Sequence, residues 1–66
     1  MRRRMNAAIR QFMVNQVGIQ GPMTSEVLVA DTKRAFPKAS PEQVAGNLSA
    51  LCCYFGTLNY TAGIVD

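Results

Sequence analysis

Apolar and polar positions alternate along this chain with three helical rhythms and one extended one. Between Met5 and Val17 the apolar residues Met5, Ala8, Ile9, Phe12, Met13 and Val17 recur at steps of three and four, with Asn6, Arg10 and Gln11 between them. That spacing predicts an amphipathic helix over about residues 5–17. Gly18 is the expected stop, since glycine readily takes the left-handed conformation of a helix cap, and Ile19 is expected to close the cap's apolar contact. The Gly21-Pro22 break makes residues 19–23 an extended connector. Thr24 or Ser25 then offers a side-chain oxygen to the free amides of a second helix, with Glu26 near its positive end. This helix is expected to run to Ala35, with Val27, Leu28, Thr32 and Ala35 inward and Lys33 and Arg34 near its negative end. Phe36 precedes Pro37, which disfavours helical geometry and sets the stop.

The clearest local signal comes after a short turn, Pro37 to Ser40. Ser40, Pro41, Glu42 and Gln43 fit a capping box: the serine hydroxyl accepts from the amide three residues on, Gln43 reaches back to the serine amide, and proline fills the first helical position. Val44, Leu48, Leu51, Cys52 and Phe55 repeat on one face of a third helix that ends near Gly56. Leu58 to Thr61 then alternates apolar and polar, and Ala62-Gly63 separates it from Ile64 and Val65. Two arrangements fit: a hairpin turning near Gly63, or one terminal strand paired with the 19–23 connector.

Composition narrows the functional classes. At 66 residues the chain forms one domain, residues 1–66, and a domain of this size buries only about 60% of its unfolded surface. Hydrophobic residues make up 48% and charged residues 17%, below the usual share of about 25% for charged residues. Some of Met13, Met23, Val29, Cys53 and Tyr54 are therefore expected at the surface, and exposed apolar area marks a contact, either a homodimer or a protein partner. Three of the seven basic residues are Arg2, Arg3 and Arg4, so the net charge of +3 is concentrated in residues 1–4. This basic amino-terminal arm is either a phosphate contact or a solvated terminus. With no histidine and only four acidic residues, the chain offers no acid–base pair, activated nucleophile, metal-ligand set or cofactor motif, so no enzymatic activity, metal or cofactor is expected. Adjacent Cys52 and Cys53 point apart in a helix and are read as reduced thiols, Cys52 in the core and Cys53 partly exposed, which fits a cytoplasmic location. The opening residues are not expected to act as a signal peptide, and no apolar run reaches membrane-spanning length, so no membrane partner is expected.

The predicted fold is mainly α: three helices with a short terminal strand or β-hairpin. Two helices joined by a turn of about four residues make a helix-turn-helix. The chain resembles the winged helix-turn-helix superfamily over about residues 5–65. Gly21 to Glu26 is similar to the lead-in of the second helix, Ser40 to Val44 to the start of the recognition helix, and Leu48 to Leu58 to the run into the wing. The short wing and small size resemble proteins of phages and other mobile elements. The resemblance implies a DNA-binding transcriptional regulator, dimeric, with its third helix in the major groove of double-stranded DNA. Gln43, Gly46, Asn47 and Ala50 are then the outward positions. Asn and Gln pair with adenine, and the two small residues allow close approach. Phosphate contacts fall to Arg2, Arg3, Arg4, Lys33, Arg34 and Lys38, with Ser40, Thr24 and Ser25 adding hydroxyls. The third helix has no lysine or arginine, which leaves open a second function on the same fold, an interaction or inhibitor module binding a host or partner protein.

Overall fold

A computed structural model describes residues 2–66, with Met1 and the side chain of Arg2 outside the described part. Helix α1 spans Arg2–Gln20, three residues longer at each end than the apolar rhythm predicts. Arg2, Arg3 and Arg4 therefore form its first turn and are not a separate arm. Ile9, Met13 and Val17, one helical turn apart, are the stripe it buries. Gly18 lies within the helix and the stop is Gly21, whose φ of +79° suits glycine and whose amide donates to the Val17 carbonyl at 2.8 Å. Ile19 makes no cap contact and stays 79% exposed. The helix runs past the predicted stop because one glycine costs a helix only about 1 kcal/mol, whereas Gly21-Pro22 supplies both a cap and a break.

Strand β1, Met23–Thr24, leads directly into α2, Ser25–Ala35. Thr24 caps it, its hydroxyl oxygen accepting from the Val27 amide at 3.2 Å. Leu28 and Thr32 are buried, while Val27 and Ala35, both expected inside, are exposed. Thr32 enters the core at low cost because its hydroxyl donates to the Leu28 carbonyl one turn back, at 2.7 Å. Phe36 ends the helix as expected and packs edge-on against Phe12, ring centroids 5.9 Å apart.

Helix α3, Pro41–Ser49, begins at Ser40, whose hydroxyl oxygen accepts from the Gln43 amide at 3.0 Å. Only half of the capping box forms, because the Gln43 side chain turns to α1 instead of back to the serine amide. After Ser49 the helix widens into a π-helical turn, Ala50–Tyr54, in which the Phe55 amide donates to the Ala50 carbonyl at 2.7 Å. The wider turn holds an extra residue and rotates the downstream side chains around the axis. Leu51 stays buried, but Phe55, predicted on the inner face, is 51% exposed.

Strands β2, Tyr60–Thr61, and β3, Ile64–Val65, form a hairpin through Ala62 and Gly63, both at positive φ. The sheet order β1-β3-β2 is antiparallel throughout, with Met23 and Tyr60 both opposite Val65. Both predicted arrangements thus coexist, since the hairpin forms and its last strand also pairs with the connector. The Ser25 amide donates to the Gly63 carbonyl at 2.9 Å and ties the hairpin to the start of α2. Leu58 and Val65 join Val44, Leu48 and Leu51 in one core, which also takes in Met13 and Met23 from among the residues expected at the surface. The architecture is three helices with a small three-stranded sheet, compatible with a winged helix. Among the described residues no helix is long and apolar enough to cross a membrane.

Candidate nucleic-acid interface

Polar side chains of α1 and α3 meet along a seam that fixes how the two helices lie. Asn6 contacts both Gln43 and Asn47, and Arg10, one turn on, contacts Asn47. Asn6 lies against the first turns of α3 while Arg10 reaches on to Phe55, so the amino-terminal ends of α1 and α3 lie side by side. Arg10 Nη1 donates to Asn47 Oδ1 at 2.9 Å. Asn47 Nδ2 donates to the Gln43 carbonyl at 2.8 Å and to Asn6 Oδ1 at 3.0 Å. Gln43 Nε2 donates to the same Asn6 oxygen at 2.9 Å. The Arg10 guanidinium also lies over the Phe55 ring, 5.0 Å from its centroid, in the position the π-helical turn gives that ring.

Of the four predicted outward positions, only Gly46 is exposed. Asn47 is only 6% exposed, and its hydrogen bonds serve the helix pair. Ala50 is half-buried at the start of the π-helical turn. The solvent face of α3 is instead Glu42, Ala45, Gly46 and Ser49, continued by Cys53. Gly46 is outward as predicted, and a Cβ there would meet nothing within 4 Å. Gln43 is half-buried and lines a cleft of about 410 Å³ with Asn6, Ser40, Glu42, Gly46 and Asn47. The structure brings Gln43, Gly46 and Ser40 together there and adds Asn6, which sequence reasoning leaves on the polar side of α1. The available signal is the i, i+4 spacing of Asn6 and Arg10, which puts both on one face.

Arg3 and Arg4 are exposed on the turn of α1 before Asn6, and Arg3, three residues earlier, shares its face. Lys33, Arg34 and Lys38 are exposed around the α2–α3 turn. Arg34 pairs with Asp31, which also accepts from Gln16 Nε2 at 3.4 Å.

A second, more apolar groove of about 620 Å³ lies between α2, α3 and the hairpin, lined by Val29, Ala45, Ser49, Cys53 and Tyr60 among others. Cys52 borders it half-buried, and burial, with a smaller contribution from neighbouring Cys53, pushes its thiol pKa up. No protein family, curated protein or solved structure matches this chain.

Proposed function

We propose that the protein is a small winged-helix DNA-binding regulator that meets duplex DNA with the amino-terminal end of α3 and the first turn of α1. The observation that carries this reading is the side-by-side placement of the amino-terminal ends of the two helices, with exposed Arg3 and Arg4 in the first turn of α1 and Arg3 on the Asn6 face, one turn before the amide-lined cleft at the start of α3. Cations in the first turn of a helix oppose its dipole and cost about 0.3–1 kcal/mol each. Helix α1 carries arginine there with no acidic residue in that turn. This arrangement does not favour stability, and it suits phosphate contact. Lys38 and the Ser40 hydroxyl supply further contacts on the approach to α3, and Lys33 and Arg34 flank the turn. Arg34 is free to leave Asp31, because an exposed pair of this kind is worth only about 0–1 kcal/mol. The residues that meet bases are those of the first turns of α3, as in other helix-turn-helix proteins. The role is binding without catalysis.

The test is fluorescence anisotropy of a labelled duplex over a range of salt concentrations. Each phosphate contact adds about 0.9 to the slope of log affinity against log salt, so Arg3→Gln with Arg4→Gln should lower the slope by about 2. An unchanged slope removes these arginines from the interface, and undetectable binding at low salt removes the reading.

A second reading, a protein-binding module or homodimer, is favoured by one specific feature: the apolar groove between α2, α3 and the hairpin, lined by Val29 and the exposed Tyr60. Exposed aromatic and small apolar residues of this kind suit a protein contact. Sedimentation of the chain alone, and of Ala45→Glu, tests the homodimer: a dimer that Ala45→Glu dissociates supports it, and a monomer in both removes it.

A further inference from the structure

The seam between α1 and α3 has a direction, and tracing it outward from Arg10 ends at the open cleft. A guanidinium can only donate, so Asn47 must turn its oxygen toward Arg10. Its amide nitrogen then faces the Gln43 carbonyl, which can only accept, and spends its second proton on Asn6. Asn6 must therefore present its oxygen, and that oxygen takes its second bond from Gln43 Nε2. Each amide in the series has one allowed orientation, imposed by the fixed charge at its inner end.

The outermost amide is left with unused valences. One Gln43 Nε2 proton is held by Asn6, while the other proton and Oε1 have no partner among the described residues. Both belong to a side chain lining the 410 Å³ cleft. An amide edge offering one donor beside one acceptor matches the major-groove edge of adenine, which presents an N6 donor and an N7 acceptor. Guanine presents two acceptors there, and cytosine and thymine present a single polar group each. An isolated glutamine can rotate to suit a different base. Here the flipped amide would set Gln43 Oε1 against Asn6 Oδ1.

We infer that Gln43 is an adenine-specifying residue, and that Arg10, Asn47 and Asn6 are positioning residues that lock its amide in the adenine-reading orientation. This rests on the DNA-binding reading above and assigns the base class at that interface. It replaces Asn47 as base reader, since both protons of its nitrogen are already engaged within the protein.

The experiment is selection of binding sites from duplex DNA with a randomised core, using the full chain and its Gln43→Ala, Arg10→Met and Arg10→Lys variants. The parent should enrich sites with an invariant adenine, and Gln43→Ala should lose that preference. Arg10→Met keeps an apolar contact to Phe55 but cannot donate, so it should lower discrimination at that base by roughly tenfold while binding to unselected duplex changes by less than about threefold. Arg10→Lys retains a donor and should preserve the preference. Placing 7-deazaadenine at the selected position removes only N7. It should weaken parent binding by roughly tenfold and leave Gln43→Ala unaffected, a readout that needs no folded Arg10 variant. Binding without a Gln43-dependent adenine, or an Arg10→Met variant that folds and keeps the full preference, overturns the inference alone. Failure of the parent to bind any duplex overturns the DNA reading and the inference with it.

Discussion

Replacing Asn47 with alanine should destabilise the domain substantially, although its spacing in the sequence places it on a solvent face. The side chain makes three hydrogen bonds, one to the Arg10 guanidinium and two through Nδ2 to Asn6 and the Gln43 carbonyl. A bond to a charged group contributes about 1.5–3 kcal/mol and a neutral one about 0.5–1.5. The gross loss is therefore roughly 2.5–6 kcal/mol. Arg10, Asn6 and Gln43 are only half-buried and regain water when released, so the net effect should be about 2–3 kcal/mol. A domain of 66 residues has only roughly 3–10 kcal/mol in total. Urea denaturation monitored by helical circular dichroism measures this directly. With a slope of about 1 kcal/mol/M for so small a protein, the midpoint should fall by about 2 M. Asn47→Asp provides an internal contrast. It gives Arg10 an ion pair but sets an oxygen against the Gln43 carbonyl and Asn6 Oδ1, so it too should be less stable than the parent. A loss below about 0.5 kcal/mol for Asn47→Ala, the range of ordinary surface substitutions, would refute the seam as the link between α1 and α3.

Local geometry sets four further expectations. Ser40→Ala removes the acceptor for the Gln43 amide and should cost about 1 kcal/mol by the same urea assay; an unchanged midpoint would mean that α3 does not depend on this cap. Ala62 holds φ at +51° in a two-residue hairpin turn, where Asn-Gly is the preferred pair, so Ala62→Asn should stabilise by about 0.5–1 kcal/mol, seen as a higher melting temperature. Thr32→Val should change stability by less than about 1 kcal/mol, because the hydroxyl it removes serves only a carbonyl of its own helix. The raised Cys52 pKa means the folded state holds that proton more tightly than the unfolded chain, so its stabilising effect is complete below the ordinary thiol pKa and is lost as pH rises through the folded value. Urea midpoints of the parent should therefore fall more across the alkaline thiol range than those of Cys52→Ala, and parallel profiles would remove Cys52 as the cause.

Much of the fold is written in local patterns of the chain. The stop at Phe36-Pro37, the cap at Ser40 with Pro41 behind it, and the hairpin at Ala62-Gly63 each depend on neighbours within four residues, where steric and capping rules act. The extent of α1 is less legible because Gly18 and Gly21 both suit a stop, and the choice between them rests on Pro22 and on packing of Val17 in the core. The solvent face of α3 is hidden for a different reason. Periodicity places Asn47 on the polar side, but a polar side chain buries readily when a partner helix supplies Arg10 and Asn6, and those partners lie 37 and 41 residues away. Nothing in the spacing announces the π-helical turn, which moves Phe55 from the expected inner face to the surface above Arg10. Of the candidate site, Ser40, Gln43 and Gly46 are legible from α3 alone, while Asn6 requires the tertiary arrangement.

The most direct test of DNA binding through α1 and α3 is a nitrogen-15 titration of the full chain with a duplex DNA, read at backbone and side-chain amides. The side-chain NH2 signals of Asn6 and Gln43 and the backbone amides of Arg3, Arg4, Gln43 and Gly46 should shift together, and those of Val29, Cys53 and Tyr60 should stay in place. Shifts confined to the apolar groove, or none at saturating DNA, would contradict the proposed interface.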